Sequence, residues 1–422
     1  MTSLVDEIND KTQSDSSESM DRESSDVVEK YNNSSIHVNK DRLIDSSCDP
    51  HHREIDWLAL PRELLSIVAD KVDKCKDYTR FGAVCKSWQE ISIENKDHLL
   101  REPLLLMFPT EGETRSLYSL SEKRFYNSFK VKVPLDRVCR GSSYGWLALI
   151  SNDLDISLVN PLLSHDNDIW LPRIEGLAEV IDLKKVVLSA NPMSNPNYVA
   201  VAIHGGQYSI SFFKPGDRTW TPLTSTLYPI WPICDILYYE DKVYALHHHG
   251  EIFACDVNGP SCIVTPVAPK RNSEIFGDNY FVRSSTGWLQ IVRHMDFKKD
   301  SDYYFASGFT VLKLDDDADE WRKVNSIDGR ILFLGDNYSL CLSVSDMPGC
   351  KPNCIYYTDD KHEYYFYMVE FGPHDMGVFN LKDDSKEPLY PMDSNMIIPA
   401  PIFFQPAPSK AGPTNLGALD ES

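Results

Sequence analysis

The chain has 422 residues, and its 63 acidic and 42 basic side chains give a formal net charge of −21 at pH 7. This balance argues against nucleic-acid binding, which needs clustered Lys and Arg to displace counterions from phosphate, and it disfavours anionic membrane surfaces. The sequence shows neither a run of roughly 18 apolar residues nor the apolar core of a signal peptide, so we expect a protein inside the cell, in the nucleus or the cytoplasm.

Residues 1–55 are predicted to form a disordered acidic tail. Asp, Glu and Ser dominate this segment, and its few apolar residues are scattered. Such a segment cannot bury enough surface to offset the entropy that is lost when a chain becomes ordered.

Residues 57–95 change to a helical pattern and predict three short helices. Pro61 suits the first helical position of the first helix, Asp77 suits the N-cap of the second, and the third carries Trp88 and Ile91. The first helix has an apolar stripe formed by Leu64, Leu65, Ile67, Val68 and Val72. So small a segment cannot bury this much apolar surface alone, which is typical of a unit that packs against a partner.

The order of motifs in this segment resembles that of an F-box. Leu60-Pro61 is followed by the Leu- and Ile-rich helix, then by Asp77-Tyr78, and then by Val-Cys-Lys-Ser-Trp at 84–88. The resemblance implies binding to the Skp-type adaptor of Skp–cullin–F-box ubiquitin ligases, and through it to the cullin and the RING subunit. The implied adaptor contacts are Leu60, Pro61, Leu64, Leu65, Ile67, Val68, Val84, Cys85 and Trp88. The alternative is that these residues form only the core of a small helical cap on the following domain.

From Pro103 onward the period of the apolar pattern changes to two, which predicts short antiparallel strands over the range 104–405. Gly145-Trp146 and Gly287-Trp288 open similar strands, and the spacing of other tryptophans indicates a repeat near fifty residues. That spacing is typical of four-stranded propeller blades. The predicted fold is therefore mainly β: a propeller of about six blades preceded by the three-helix segment and the acidic tail, and followed by a flexible tail over 406–422.

Five repeat units are expected, and they span 135–172, 186–222, 234–268, 279–325 and 331–391. Two further strand-like segments, 104–131 and 397–404, flank these units. Because a ring must close without an exposed strand edge, we expect the two flanking segments to share a sixth blade.

The β region resembles the propeller of plant F-box proteins of the KIB type. The residues that carry the resemblance are 140–147, 158–161, 332–337, 346–360 and 375–379. The resemblance implies a plant source and a propeller that recruits a protein substrate.

Three clusters invite a metal interpretation, but each has a structural explanation that we favour. We expect His247-His248-His249 to lie in a strand and turn, Cys350 and Cys354 to pack in a loop, and the carboxylates of 315–320 to form a solvated hairpin turn. The sequence also lacks motifs of nucleophilic, phosphate-binding or zinc-protease chemistry. We therefore expect no catalytic residue, no metal and no cofactor, and we expect the ten cysteines to be free and mostly buried thiols.

The resulting hypothesis is a non-catalytic substrate receptor of a ubiquitin ligase. Two alternatives stay open: a binding scaffold outside ubiquitination, suggested by Tyr78 and the charged residues 71–76, and a propeller hydrolase whose catalytic groups come from several blades. The target itself is not identifiable from the sequence. Residues 166–170 and 315–320 are candidate target loops only by elimination.

Overall fold

The computed structural model describes residues 57, 60–72, 81, 84–94, 104–109, 114–163, 168–224, 232–257, 263–272, 275–297, 304–315, 317, 319–360, 375–389 and 400–406. The chain divides into two compact units, Met1–Trp57 and Leu58–Ser422. The predicted tail at 1–55 and nearly all of the predicted tail at 406–422 lie outside the described residues. No helix among those residues is long and apolar enough to cross a membrane.

The helical segment contains two described α-helices, α1 (Arg62–Asp70) and α2 (Lys86–Glu94). They correspond to the first and third predicted helices, whereas the second falls mostly outside the described residues. The prediction that Pro61 occupies the first helical position is wrong by one residue. Pro61 has an extended ψ of 147° and is the N-cap, so its carbonyl accepts the first helical hydrogen bond, from the amide of Leu65 (3.1 Å).

The β region begins with three strands: β1 (Leu105–Pro109), β2 (Thr114–Ser119) and β3 (Arg124–Lys132). Blade 1 contains β4 (Val138–Ser143), β5 (Trp146–Ile150), β6 (Ile156–Val159) and β7 (Ile169–Leu171). Blade 2 contains β8 (Leu183–Leu188), β9 (Ala200–His204), β10 (Ser209–Phe213) and β11 (Thr221–Pro222). Blade 3 contains β12 (Ile233–Tyr239), β13 (Lys242–His247), β14 (Ile252–Asp256) and β15 (Ile263–Ala268).

Blade 4 contains β16 (Asp278–Ser284), β17 (Gly287–Phe297), β18 (Tyr304–Asp315) and β19 (Glu320–Val324). Blade 5 contains β20 (Ile331–Leu334), β21 (Ser339–Leu342), β22 (Cys354–Tyr357), β23 (Gly377–Asn380) and β24 (Lys386–Glu387). The last described strand is β25 (Ile402–Phe404). These blades begin and end within four residues of the five predicted repeat units.

The ring closes as the sequence predicted. Strand β25 pairs antiparallel with β1, through Leu105 with Phe404 and Met107 with Ile402, and thereby completes a closing blade in the order β25-β1-β2-β3. The prediction of a six-bladed propeller is confirmed. Because the first and last strands of the β region share one sheet, no strand edge is left unpaired where the ring closes.

Blade 5 departs from the expected antiparallel pattern. Its strand β22 runs parallel to β20, with Ile331 opposite Cys354, while β21 forms the inner edge. The cause is the connection over 343–353, which contains Pro348 and Gly349 and returns the chain across the blade before β22 begins. With β21 on the inner side of β20, the sheet has five strands.

The inner strands of neighbouring blades approach each other closely around the channel. Strand β4 contacts β8, β8 contacts β12, β12 contacts β16, and β16 contacts β21. A Cβ atom at Gly141 would lie 2.0 Å from the carbonyl oxygen of Val186, so the contact between blades 1 and 2 requires glycine. Apolar side chains fill the layers between blades.

Tryptophans of the repeat join blade 2 to blade 1 and blade 4 to blade 3. The indole of Trp220 donates to the carbonyl of Pro172 (2.7 Å), and the indole of Trp321 donates to the carbonyl of Pro269 (3.0 Å). The two bonds are equivalent, since each runs from a residue in or next to an outer strand to the residue that follows the preceding blade. Trp170 differs, because it is 56% exposed and stacks under the guanidinium of Arg137.

Candidate interaction surfaces

The apolar residues of the helical segment divide into a buried and an exposed set. Leu65 and Trp88 are buried, and the ring of Phe81 lies 4.5 Å from that of Trp88. With Ala69 and Ile91 they join an apolar cluster that also includes residues of the closing blade and blade 1. This set matches the alternative of a helical cap, because it holds the helices in place and is not available to another protein.

The remaining predicted adaptor residues face outward to different degrees. Leu64, Ile67 and Val84 are 48%, 52% and 48% exposed. Pro61 is also exposed, whereas Leu60, Val68 and Cys85 are half-buried. Large apolar side chains this exposed, three residues apart along one helix, form a surface suited to a helix-packing partner.

Cys85 precedes α2 and caps it. Its carbonyl accepts a hydrogen bond from the amide of Gln89 (2.9 Å), and its thiol lies 3.1 Å from the hydroxyl of Ser87. The hydrogen bonds from Ser87 and from the amide of Trp88 lower the pKa of Cys85. The Val-Cys-Lys-Ser-Trp motif therefore starts a helix and places Trp88 in its first turn.

A second surface lies at one mouth of the propeller channel, where the inner strands begin. A cavity of about 360 Å³ opens there, bordered by β4, β8, β12, β16 and the turn between β20 and β21. Two ion pairs cross it between blades: Arg140 with Asp336 (2.7 Å), and Lys185 with Asp235. Sequence reasoning missed this site, because its residues come from five blades and are far apart in the sequence.

A buried charge cluster stands behind the cavity between blades 4 and 5. The guanidinium of Arg293 is fully buried and donates to the carboxylates of Asp360 (3.0 Å) and Asp375 (2.7 Å). The hydroxyl of Tyr280 donates to Asp360, and that of Tyr304 donates to Asp359 (2.7 Å). Burial alone would lower the pKa of Arg293, but Asp360 and its neighbours raise it well above its ordinary value. Arg293 therefore stays charged.

Two aromatic residues are exposed in this region, one in the wall of the cavity and one next to a wall residue in the sequence. Phe276 is 82% exposed, and it immediately precedes Gly277 in the wall of the cavity. Tyr208, in the turn between β9 and β10, lies in the wall itself, with the ammonium group of Lys184 5.2 Å from its ring centre. Exposed aromatic side chains beside a polar cavity are typical of protein-binding surfaces.

The target loops chosen by elimination lie elsewhere. Residues 168–170 belong to or adjoin the outer strand β7, while 164–167 are outside the described residues. Asp315 at the end of β18 pairs with Glu320 at the start of β19, as a hairpin requires, while 316 and 318 lie outside the described residues; Arg322 pairs with Asp315 (2.7 Å) and Glu320 (2.6 Å). Both loops are attached to outer strands, whereas the cavity lies at the inner ones.

The clusters that invited a metal interpretation have ordinary structural partners. His247 ends β13, its Nδ1 lies 3.0 Å from the carboxylate of Glu251, and the turn continues through Gly250. Cys350 and Cys354 are buried in the apolar cluster of blade 5 and the closing blade. Among the described residues, no three His, Cys, Asp or Glu side chains are grouped so that they could hold a metal ion. The cysteines that the structure describes are free and mostly buried, and burial raises the pKa of Cys139 to about 11.

Comparison with known proteins identifies the propeller. Residues 117–380, more than half of the chain, match the KIB1-4 β-propeller family. The F-box protein SKIP23 of Arabidopsis thaliana is 21% identical over 407 residues, which cover 84% of this chain and 95% of that protein. The F-box/kelch-repeat protein At1g64840 of the same plant is 22% identical over 352 residues, covering 76% of this chain and 88% of that protein. The chain therefore belongs to the KIB1-4 β-propeller family, and it is a plant F-box protein with a KIB-type propeller.

Proposed function

We propose that this protein is the substrate-recruiting subunit of a Skp–cullin–F-box ubiquitin ligase. The F-box binds the Skp-type adaptor, which connects it to the cullin and the RING subunit, and the propeller binds the protein to be modified. The complex acts inside the cell, in the nucleus or the cytoplasm. The chain itself contributes proximity and orientation, so none of its residues takes part in covalent chemistry.

One observation supports this proposal above the others. Helix α1 exposes Leu64 and Ile67 on one face, while Leu65, on another face of the helix, is buried. Burial of Leu65 fixes the orientation of α1, so the two exposed side chains are presented without help from a partner. A face that is apolar, exposed and rigid is what a helix-packing interface requires.

Co-precipitation of a plant Skp-type adaptor and cullin tests the proposal. The double variant Leu64→Ala, Ile67→Ala should weaken adaptor binding by about 2 to 4 kcal/mol, because each truncation removes apolar area from the interface. A matched control is Met193→Ala, Ile263→Ala, whose side chains are 53% and 62% exposed on the propeller. The control should bind the adaptor as the wild type does.

The same experiment can contradict the proposal. If the wild-type chain captures no adaptor, or if both double variants lose it equally, the helical face is not an adaptor site. Target binding that persists without adaptor binding would favour the scaffold alternative.

A further inference from the structure

Carboxylates outnumber basic side chains at the mouth of the channel. Six of them line the cavity or stand directly behind its wall: Asp235, Asp278, Asp336, Asp359, Asp360 and Asp375. The carboxylates of blade 5 are close to one another. Asp360 and Asp375 both accept hydrogen bonds from Arg293, and Asp359 accepts a hydrogen bond from the amide of Asp375 (2.7 Å). This side of the mouth is therefore acidic.

The basic side chains of the same region do not balance that charge. They are Arg140, Lys184, Lys185, Arg271 and Arg293, of which Arg271 donates to the carbonyl of His248 (2.6 Å) and to Asn279 (3.0 Å) in the cavity wall. Arg140 and Lys185 are each paired with one carboxylate from another blade. His248 adds little positive charge near neutral pH, because burial and the neighbouring His247 and His249 lower its pKa. Among the residues that the structure describes here, the six carboxylates thus exceed the five cations by one, and five of the six carboxylates belong to or adjoin blades 4 and 5.

The rim of the acidic side carries an apolar anchor. The carbonyl of Phe276 accepts a hydrogen bond from Nδ1 of His294 (3.2 Å), which holds the backbone while the ring projects into solvent. The next residue, Gly277, has φ of +143°, and a Cβ atom there would lie 2.2 Å from the carbonyl oxygen of Arg293. The backbone that carries Phe276 is therefore fitted tightly against blade 4, so its ring projects from a fixed base.

We propose that the channel mouth binds an extended basic segment of the target protein. A Lys or Arg side chain of that segment enters the cavity toward Asp278 and Asp360, and an apolar neighbour packs on Phe276. The cavity of about 360 Å³ is at the small end of ligand pockets, so it accepts a side chain or two and no folded domain. The chain's net charge of −21 attracts such a segment from a distance. This inference rests on the proposed function, because it names the class of target that the receptor recruits.

Defined peptides test the inference on the full-length chain. The probes are three fluorescein-labelled ten-residue peptides in which leucine alternates with lysine, glutamine or glutamate, and the measurement is fluorescence anisotropy. The lysine peptide should bind at least tenfold more tightly than the glutamine peptide, and the glutamate peptide should bind most weakly. Equal affinity for the lysine and glutamine peptides, or tighter binding of the glutamate peptide, would overturn the inference.

Matched variants separate this site from general attraction to an acidic protein. Asp278→Asn should weaken binding of the lysine peptide about fivefold, whereas Asp317→Asn, which removes the same charge from the exposed turn between β18 and β19, should change it less than twofold. Phe276→Ala should weaken binding about tenfold, while truncation of the exposed Trp170 to Ala on the outer strand β7 should have little effect. If each control substitution weakens peptide binding as much as the cavity substitution with which it is matched, the cavity is not the binding site.

Adaptor capture by the same preparations distinguishes failure of the inference from failure of the proposed function. Asp278→Asn and Phe276→Ala lie on the propeller and should capture the adaptor normally, and thermal unfolding like that of the wild type should show that both variants are folded. A wild-type chain that captures the adaptor but does not prefer the lysine peptide contradicts only the inference. A chain that prefers the lysine peptide but captures no adaptor contradicts only the ligase role.

Discussion

The helical face and the channel mouth are two binding surfaces of opposite construction. The helical face is apolar and convex, and its predicted contacts come from residues 60–88. The channel mouth is charged and concave, and five blades contribute to its wall. A surface formed by residues close together in the sequence can therefore be recognised as a sequence motif, whereas a surface formed by residues far apart in the sequence depends on the whole ring.

The two surfaces also differ in the source of their binding energy. Burial of Leu64 and Ile67 would contribute through apolar area, which salt hardly changes. Attraction to the carboxylates around Arg293 is electrostatic and is screened as ionic strength rises.

Loss of the buried cation should damage the propeller most. Arg293→Met leaves Asp360 and Asp375 buried without their shared partner, and we expect the free energy of unfolding to fall by about 3 to 5 kcal/mol. The control is Arg322→Met, whose side chain is 57% exposed and whose ion pairs should be worth less than about 1 kcal/mol. Denaturant unfolding measures both. A loss as small as that of the control would show that the carboxylates become protonated or solvated.

Within the helical segment, the buried and exposed residues should separate in their effects. Trp88→Ala should open α1 and α2 locally by about 3 kcal/mol, because it removes a buried ring that contacts Phe81. Leu64→Ala should leave these helices unchanged and weaken only adaptor binding. Hydrogen exchange of the α1 and α2 amides measures the first effect. Equal exchange in the two variants would contradict the division into buried and exposed sets.

Salt should distinguish the two surfaces. Between 50 mM and 300 mM salt, we expect binding of the lysine peptide to weaken by about 1 kcal/mol and adaptor binding to change by much less. Titrations at both ionic strengths, with the same wild-type preparation, make the comparison. If adaptor binding weakens with salt as much as peptide binding does, the helical face binds the adaptor mainly through charge.

Acidification should have the smallest effect, a loss of thermal stability that comes from His248 at the channel mouth. Burial, His247 and His249 lower the pKa of His248, so the unfolded chain binds the proton more readily than the folded one. The stability from neutral His248 is therefore present above the ordinary pKa of about 6.5 and is lost as the pH falls below that value. Thermal unfolding between pH 7.5 and 5 should show this loss in the wild type and less of it in His248→Gln. Helices α1 and α2 contain no His, so the free energy of local opening of their amides, obtained after correction for the intrinsic pH dependence of exchange, should not acquire this dependence.

Much of the fold was predictable because it depends on local periodicity. The spacing between Trp220 and Trp321 indicated blades, and the structure shows that both residues make equivalent bonds between blades. The closing blade followed from the need to match the strand edges at the two ends of the β region. The parallel pairing of β20 and β22 was not predictable, because strand direction there depends on the path of the connection at 343–353.

The F-box motif, the blade repeat and the acidic balance of the chain were evident from the residues alone. The exposure of Leu64, the burial of Leu65 and the position of Phe276 next to the wall of a charged cavity became evident only from the folded structure. It also brought Arg293 to Asp360 and Asp375, which are 67 and 82 positions away in the chain. The difference lies in sequence separation. A helical or strand period is set by adjacent residues, whereas a site at the centre of a ring forms only when every blade is in place.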